Sequence, residues 1–164
     1  MIRQRAQDTD YTDPIIIQSA QYGHLLLLEF LYSIGVNIHQ ARSADFPSPL
    51  HAAVEGQKLL VVKCLIQHGA NCNTRYSDGQ TPLFCAVAKG SLHIVRALVE
   101  EGHALVDIRD DNGRTVIDWV KEYTSVSTDR SMRSKILGMY LEITYEETVK
   151  YLQERCKASS IGWQ

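Results

Sequence analysis

Several features that mark common classes of protein are missing from this 164-residue sequence. The longest apolar run is the four leucines at 25–28, far short of the roughly 20 residues that span a bilayer. The polar N-terminus, MIRQRAQDTD, lacks the apolar core of a signal peptide. The four cysteines, at 64, 72, 85 and 156, have neither zinc-ligand spacing nor the density of a disulfide framework, which favours a reducing compartment. These absences predict a protein with no membrane segment, located in the cytoplasm, with the nucleus as the alternative.

An excess of charge of one sign is also missing. The chain has 17 basic and 19 acidic residues, a formal net charge of −2, and no run of like charges forms a tail. Because phosphate binding needs a clustered positive face, we expect no nucleic-acid partner. With 45% hydrophobic and 22% charged residues the composition is that of an average globular protein. The length fits one compact domain or one short array of repeats.

The sequence does contain an internal repeat. Two segments align at a spacing of 33 residues: SPLHAAVEGQKLLVVKCLIQHGANCN from Ser48, and TPLFCAVAKGSLHIVRALVEEGHALVD from Thr81. Each opens with Ser/Thr-Pro-Leu, continues through small residues to a Val-Val or Ile-Val pair, and then reaches a glycine. A less regular copy runs from Gly23 to Gly35, and a degenerate fourth copy begins at Asn112.

A period near 33 with a T-P-L-H-x-A signature resembles the ankyrin repeat family over about residues 11–143. The resemblance implies an all-α fold, an ankyrin-repeat solenoid of helix–turn–helix repeats joined by β-hairpin-like fingers. An N-terminal tail and a C-terminal capping helix with its tail are expected to flank four repeats, of which the last has an insertion near 125–132. The expected segments are 1–10 (tail), 11–42, 43–75, 76–109 and 110–143 (repeats), and 144–164 (cap and tail).

Helix starts are predicted from local signals. The Thr81 hydroxyl is expected to cap the first helix of repeat three, with Pro82 in its first turn. Asp13-Pro14 is expected to start the first helix of repeat one. Residues 136–141 are expected to resume the second helix of repeat four after the insertion, and the capping box at 144–147 to open the C-terminal helix.

The apolar pattern and the turn residues predict the rest of the repeat. Leu65 and Leu98 are expected in the core of the second helices. The pairs Asp78-Gly79 and Asn112-Gly113 are typical of tight turns, so each is expected at the tip of a finger.

Residue patterns that support catalysis are not found. No histidine has a serine, cysteine or carboxylate partner at the spacing of a known nucleophile or metal motif, and no glycine-rich phosphate loop is present. His51 stands at the T-P-L-H histidine, where a structural role is expected. Cys64 and Cys85 are predicted to be small buried hydrophobic residues. We therefore expect no enzymatic activity, no cofactor and no metal.

The ankyrin resemblance implies instead that another protein binds to the concave surface of fingers and first helices, so that the chain acts as a scaffold, adaptor or inhibitor. Tyr and Arg in this set are residue types enriched at binding hot spots. The arginines recur once per finger, a ladder suited to an acidic or phosphorylated segment. The candidate partner-binding residues are Tyr22, Arg42, Phe46, Glu55, Arg75, Tyr76, Asp78, Gln80, Lys89, Arg109, Asp111, Asn112, Arg114 and Tyr123.

Two further readings concern single motifs. Leu152 and Cys156 have the Leu-x-x-x-Cys spacing of the short helix by which ubiquitin-ligase substrate receptors dock elongin C, so such a receptor is the alternative function. The simpler interpretation makes both residues the inward stripe of the capping helix. Asn73 stands at the finger asparagine that asparaginyl hydroxylases modify in ankyrin proteins; structurally, an asparagine here stabilises the finger by bonding backbone groups.

Overall fold

The computed structural model describes residues 9–42, 46, 48–76, 78–126 and 146–158, with side chains from residue 13 onward and not for 122–126. This part of the chain is helical and contains no strand. A 3-10 turn, Ile38–Gln40, and a π-helical turn, Ala97–Glu101, add to eight α-helices. The α-helices are α1 Thr9–Tyr22, α2 Leu25–Ser33, α3 Pro49–Glu55, α4 Leu59–Gln67, α5 Pro82–Ala88, α6 Leu92–Arg96, α7 Val116–Val126 and α8, residues 146–158.

The first six helices form three hairpins, α1–α2, α3–α4 and α5–α6, and each hairpin is one repeat. The backbone is left-handed at the same point in each: Gly23 (φ +89°), Gln57 (φ +55°) and Gly90 (φ +64°). A left-handed residue turns the chain sharply, which lets the second helix fold back on the first. These three positions therefore align the repeats with one another.

The aligned second helices share a common core. Leu28, Val62 and Val95 occupy one position, and all three are completely buried. Leu65 and Leu98 share another and are also completely buried, which confirms their predicted place in the core. The buried side chains of successive repeats join into one apolar cluster. The hydrophobic stabilisation is therefore shared along the stack, as in other solenoids.

One predicted helix start is wrong and one predicted capping bond is missing. The first helix of repeat three begins at Pro82 with Thr81 before it, as predicted. The Thr81 hydroxyl makes no capping bond; its side chain is buried, and the Thr81 carbonyl accepts from the Cys85 amide instead. In repeat two Ser48 does cap its helix, accepting from the His51 amide. Pro14 lies inside α1, which begins at Thr9. The carboxylate expected to cap a helix beginning at Pro14, that of Asp13, accepts a hydrogen bond from the Arg42 amide.

The second-helix segment of repeat three is one residue longer than those of repeats one and two. The step from Gly90 to His103, the next left-handed residue (φ +51°), exceeds the step from Gln57 to Gly69 by one residue. The second helix absorbs this residue by widening into the π turn Ala97–Glu101. A π turn takes one additional residue without breaking the helix.

The two acidic residues of this turn form separate contacts. Glu101 pairs with Lys63 of repeat two, Nζ to Oε1, at 2.6 Å. Glu100 accepts hydrogen bonds from the Tyr151 hydroxyl at 3.0 Å and the Arg155 guanidinium at 3.1 Å, which lower the pKa of this carboxyl. Tyr151 and Arg155 belong to α8, so Glu100 holds that helix against repeat three.

The fourth repeat departs from the other three. Its first helix, α7, continues through Val126 with no left-handed break, so Ser125 and Val126 are helical rather than part of the expected loop at 125–132. The rest of that loop and the second helix expected at 136–141 lie outside the described residues. Helix α8 lies against the second helix of repeat three, where the second helix of a fourth repeat would stack.

The inward face of α8 agrees with the interpretation of this helix as a cap. Leu152 is completely buried, and Val149 and Cys156 pack against the core cluster. The guanidinium of Arg96 lies 5.4 Å from the centre of the Tyr151 ring, a cation–π contact that adds to the docking of the helix. Residues 144 and 145 of the expected capping box lie outside the described part of the chain.

Truncating the core at Leu98 tests the helical register. Leu98→Ala should lower the free energy of unfolding by about 2–5 kcal/mol, because the substitution leaves a cavity in a completely buried position. Urea unfolding monitored by circular dichroism measures the change. The matched control is Leu105→Ala, since Leu105 is 54% exposed and its truncation should cost less than about 0.5 kcal/mol. Similar losses for both variants would contradict this register.

Relieving the left-handed backbone at His103 should stabilise the chain. A non-glycine residue in this conformation costs roughly 1–2 kcal/mol, while glycine adds about 0.5–1 kcal/mol of unfolded-state entropy. His103→Gly should therefore raise the free energy of unfolding by about 0.5 kcal/mol. His93→Gly, at an exposed position inside α6, should lower it by roughly the same amount. Parallel urea titrations would refute the assignment if both variants shifted in the same direction.

Candidate protein-binding surface

Two fingers with the same hairpin geometry connect repeat two to three and repeat three to four. In the first, Tyr76 N donates to Gln80 O at 2.7 Å, and the tip residue Gly79 is left-handed (φ +73°). In the second, Asp110 N donates to Arg114 O at 2.9 Å, and Gly113 is left-handed. The tight turns predicted from Asp78-Gly79 and Asn112-Gly113 are confirmed.

Arg75 braces one finger against the next. Its Nε donates to the Gly79 carbonyl within its own finger. Its Nη2 reaches across to the Arg109 carbonyl at 2.7 Å and to Asp111 Oδ1 at 3.3 Å. A backbone bond from Asp111 N to Asp78 O, at 3.0 Å, runs beside it. The two finger tips are therefore held in a fixed relation, and several donors of the half-exposed Arg75 are already used.

Asp110 and Arg114 form an ion pair inside the second finger. The Arg114 Nε and Nη2 both donate to Asp110 Oδ2, at 3.0 and 2.8 Å, and the side chain of Asp110 is fully buried. Burial alone would raise the pKa of Asp110. Hydrogen bonds from Arg114 and from the Asn112 amide outweigh burial and hold that pKa below its ordinary value. The guanidinium of Arg114 therefore stabilises the folded second finger.

The remaining predicted side chains differ in how accessible they are. Tyr76 is 38% exposed, with its ring 6.2 Å from that of His51, and Tyr22 is 64% exposed. Phe46, a candidate that would have to be exposed to bind a partner, is instead half-buried: its side chain packs against the core cluster, which removes apolar area from water. The side chain of Tyr123 lies outside the described residues.

The charged and polar candidates differ in the contacts that they make. Glu55 and Lys89 form an ion pair between the first helices of repeats two and three. The guanidinium of Arg109 is exposed, with one donor to the Gly113 carbonyl at 2.6 Å. Of the others, Gln80 is half-buried, and the exposed residues are Arg42, Asp78, Asp111 and Asn112.

Comparison with known proteins identifies these hairpins and fingers. A family model described as ankyrin repeats (3 copies) matches residues 16–112. The chain belongs to the ankyrin repeat family.

Relatives of this ankyrin chain are themselves longer proteins. Human Rabankyrin-5 is 25% identical over 140 residues, which is 76% of this chain and 12% of that protein. The ankyrin repeat protein FPV031 of fowlpox virus is 36% identical over 103 residues, 62% of this chain and 30% of that protein. The mouse B-cell lymphoma 3 protein homolog is 40% identical over 78 residues, 48% of this chain and 16% of that protein. The chain therefore spans less than a third of these three relatives.

Ankyrin repeats are protein–protein interaction modules, and the family is generally non-enzymatic. The contacts of His51, the histidine of the T-P-L-H signature, agree with the structural role predicted for it. Its Nδ1 lies 2.9 Å from Ser48 Oγ, and burial lowers the pKa of the ring to about 4, partly opposed by the Gln80 backbone. At neutral pH this histidine is uncharged.

The cysteines also lack the character of a reactive site. Cys64 is buried as predicted, and Cys85 is half-buried. Burial raises the pKa of Cys72 and of Cys85 to about 11, so both are protonated thiols at neutral pH. In the part of the chain that the structure describes, no three His, Cys, Asp or Glu side chains come together as metal ligands. No described helix has the length and apolar character needed to cross a membrane.

The two hypotheses based on single motifs, the elongin C helix and the modification of Asn73, have different outcomes. The elongin C alternative is not supported, because Leu152 is completely buried on the inward face of α8 and Cys156 packs against the core. The Asn73 side chain forms a hydrogen bond with the backbone, as expected: its Oδ1 accepts from Leu105 N at 2.9 Å. The backbone amide of Asn73 donates to Asn71 Oδ1. The Asn73 side chain therefore joins the loops that follow repeats two and three; its hydroxylation stays a prediction.

Sequence reasoning missed Asp110, whose carboxylate organises the second finger. The signal was present: an aspartate directly before a turn, followed two residues later by Asn-Gly, is typical of side-chain bonding to the turn backbone. From the sequence alone, the three charged candidates of this finger, Arg109, Asp111 and Arg114, are equally available to a partner.

The buried carboxylate predicts a specific acid sensitivity. Asp110→Asn should lower the free energy of unfolding at pH 7 by about 1–3 kcal/mol, because charged hydrogen bonds to Arg114 and to backbone amides are lost. The folded-state pKa is depressed, so this stability is present above the unfolded pKa of about 3.9 and is lost as pH falls through the folded value.

Urea unfolding at several pH values measures this effect. The gap between wild type and Asp110→Asn should narrow as the pH falls below about 4. Asp107→Asn, at an exposed aspartate, is the control and should change stability by less than about 0.5 kcal/mol. A gap that stays constant down to pH 2 would rule out the proposed linkage.

Proposed function

We propose that this chain binds another protein through its concave surface, with the finger tips around Tyr76 and Arg109 at the centre, and so acts as a scaffold, adaptor or inhibitor. The observation that carries the proposal is the brace between the fingers. Arg75 Nη2 bonds the Arg109 carbonyl, and Asp111 N bonds Asp78 O. A surface ordered before binding loses less conformational entropy when a partner docks, which favours affinity.

The two central side chains suit this role. Tyr76 presents an aromatic ring that is 38% exposed, next to a rigid turn. Arg109 presents an exposed guanidinium on the neighbouring finger. Tyr and Arg are enriched among residues that dominate binding energy, because both combine large contact area with directional donors.

The charges along this surface bear on what kind of partner it can bind. Arg75 is paired with Asp111, Arg114 with Asp110 and Lys89 with Glu55. Because these cations are compensated within the fold, the surface favours a partner of mixed polarity over a uniformly acidic or phosphorylated segment. The acidic-segment hypothesis therefore depends mainly on the exposed Arg109.

The test first isolates the partner by affinity purification with mass spectrometry, and then measures its binding by calorimetry. Tyr76→Ala with Arg109→Ala should weaken binding by about 10- to 1000-fold, since hot-spot truncations cost 2 kcal/mol or more. Thermal unfolding should be unchanged, because both side chains are exposed. If the loss shrinks in high salt, Arg109 meets an acidic group on the partner.

The matched control removes one apolar and one cationic side chain away from the concave surface. Leu60, on the second helix of repeat two, is 68% exposed, and Lys150 is exposed on α8. Leu60→Ala with Lys150→Ala should leave the affinity within about threefold of wild type. If this control pair abolishes binding and the finger pair does not, the partner binds the outer helices.

A further inference from the structure

A set of large apolar side chains is exposed at the N-terminal end of the stack. Ile15 is 53% exposed, Tyr22 64%, Leu27 38% and Phe30 58%, and together they form what we call the N-terminal face. Monomeric proteins rarely expose a contiguous apolar patch of this kind unless something binds it.

The repeat register shows what kind of surface this is. Leu27 and Phe30 of α2 correspond to Val61 and Cys64 of α4, which are only 1% and 7% exposed. The corresponding residues of repeat three, Ile94 and Ala97, are also buried. Positions that are buried in repeats two and three are thus exposed in repeat one, which has no described repeat stacked before it.

The first helix agrees with this comparison. Ile15 corresponds to Pro49, which is buried, and Tyr22 corresponds to Gly56. A side chain built at Gly56 would collide with the Gln21 carbonyl of repeat one, so this position faces the preceding repeat. The N-terminal face is therefore continuous in position with the interfaces that join the repeats.

The charge pattern leaves the face apolar. Between residues 13 and 34 the only acidic or basic residues besides His24 are Asp13 and Glu29. Asp13 is engaged with the Arg42 amide. Glu29 corresponds to Arg96, which in repeat three contacts Tyr151 of α8, a helix at the far end of the stack. A partner for this face must supply apolar side chains, because the face offers no charged side chain for it to pair with.

The described residues at the opposite end of the stack disfavour one arrangement of two copies. Helix α8 covers repeat three, and its outer side is strongly polar. A head-to-tail contact would place apolar residues of one copy on these charged side chains of the next. The exposed polar residues of α8 are Glu146, Glu147, Lys150, Gln153, Glu154, Arg155 and Lys157.

We propose that two copies of this chain associate head to head through their N-terminal faces, forming a closed, two-fold symmetric dimer. A face that is apolar in one copy is equally apolar in the other, so an isologous contact satisfies both at once. The pairing buries Leu27 and Phe30 as Val61 and Cys64 are buried within the chain. Of the candidate partner-binding residues only Tyr22 belongs to this face; the fingers with Tyr76 and Arg109 remain open in the dimer, so this inference stands apart from the proposed function.

The test measures mass against concentration by analytical ultracentrifugation of the whole chain, from about 1 to 200 µM, a range that covers micromolar dissociation constants. The wild type should shift from one to two chains as concentration rises. Leu27→Glu with Phe30→Glu should raise the dissociation constant by at least about 30-fold, because two buried apolar contacts are replaced by charges. Circular dichroism checks that the variant folds; if it does not, Phe30→Ala replaces it and should raise the constant about tenfold.

The control introduces the same two charges elsewhere, as Leu60→Glu with Leu105→Glu at leucines that are 68% and 54% exposed outside the face. This control should dimerise like the wild type, and equal loss in both double variants would overturn the proposal. A wild type that stays monomeric across the range would also overturn it, leaving the face to a different protein. So would a chain that dimerises only after residues 1–8 are removed, since those residues would then be the occupant.

Discussion

Each helix hairpin in this chain needs a neighbour to complete its burial. Leu27 and Val61 stand at the same position of successive repeats, yet the first is 38% exposed and the second 1% exposed. The difference comes from stacking, because the hairpins themselves are alike. A solenoid of this kind gains stability through the interfaces between repeats as much as within each repeat. The fingers are placed by this stacking, so the binding surface depends on it too.

Polar contacts fix the spacing that apolar contacts leave free. Hydrophobic burial has no preferred direction, whereas hydrogen bonds require particular distances and angles. Asn73 bonds Leu105 N across the loops, and Arg75 bonds the Arg109 carbonyl across the fingers. Both bonds connect repeats two and three on their finger side. They make the relation between adjacent finger tips a property of the fold rather than of a bound partner.

The repeat architecture and its core could be predicted from sequence because both depend on periodic residues. Leu65 and Leu98 recur at the repeat spacing, and their burial follows from helical periodicity alone. The helix start predicted at Asp13-Pro14 is wrong: the helix begins at Thr9, and the Asp13 carboxylate bonds an amide 29 residues away. Local signals say nothing about such a distant competitor.

The candidate surface was harder to predict than the core. All four finger arginines look equivalent as letters, but Arg114 closes on Asp110 and Arg75 spans two fingers. Which guanidinium keeps donors for a partner depends on the folded positions of carbonyls and carboxylates. The wrong prediction for Phe46 has the same origin. Whether an aromatic side chain in a loop packs against the core depends on the space that the folded core offers it.

The π turn in repeat three has a consequence for comparing repeats by length. One additional residue is absorbed between Arg96 and Gly102 while Leu98 keeps its buried place. Successive residues of a helix point in different directions. The neighbours Glu100 and Glu101 therefore diverge, one toward α8 and the other back toward Lys63 of repeat two. An alignment of the repeats with a fixed period of 33 residues would therefore be wrong by one residue after this turn. The stacking of the described helices continues through it.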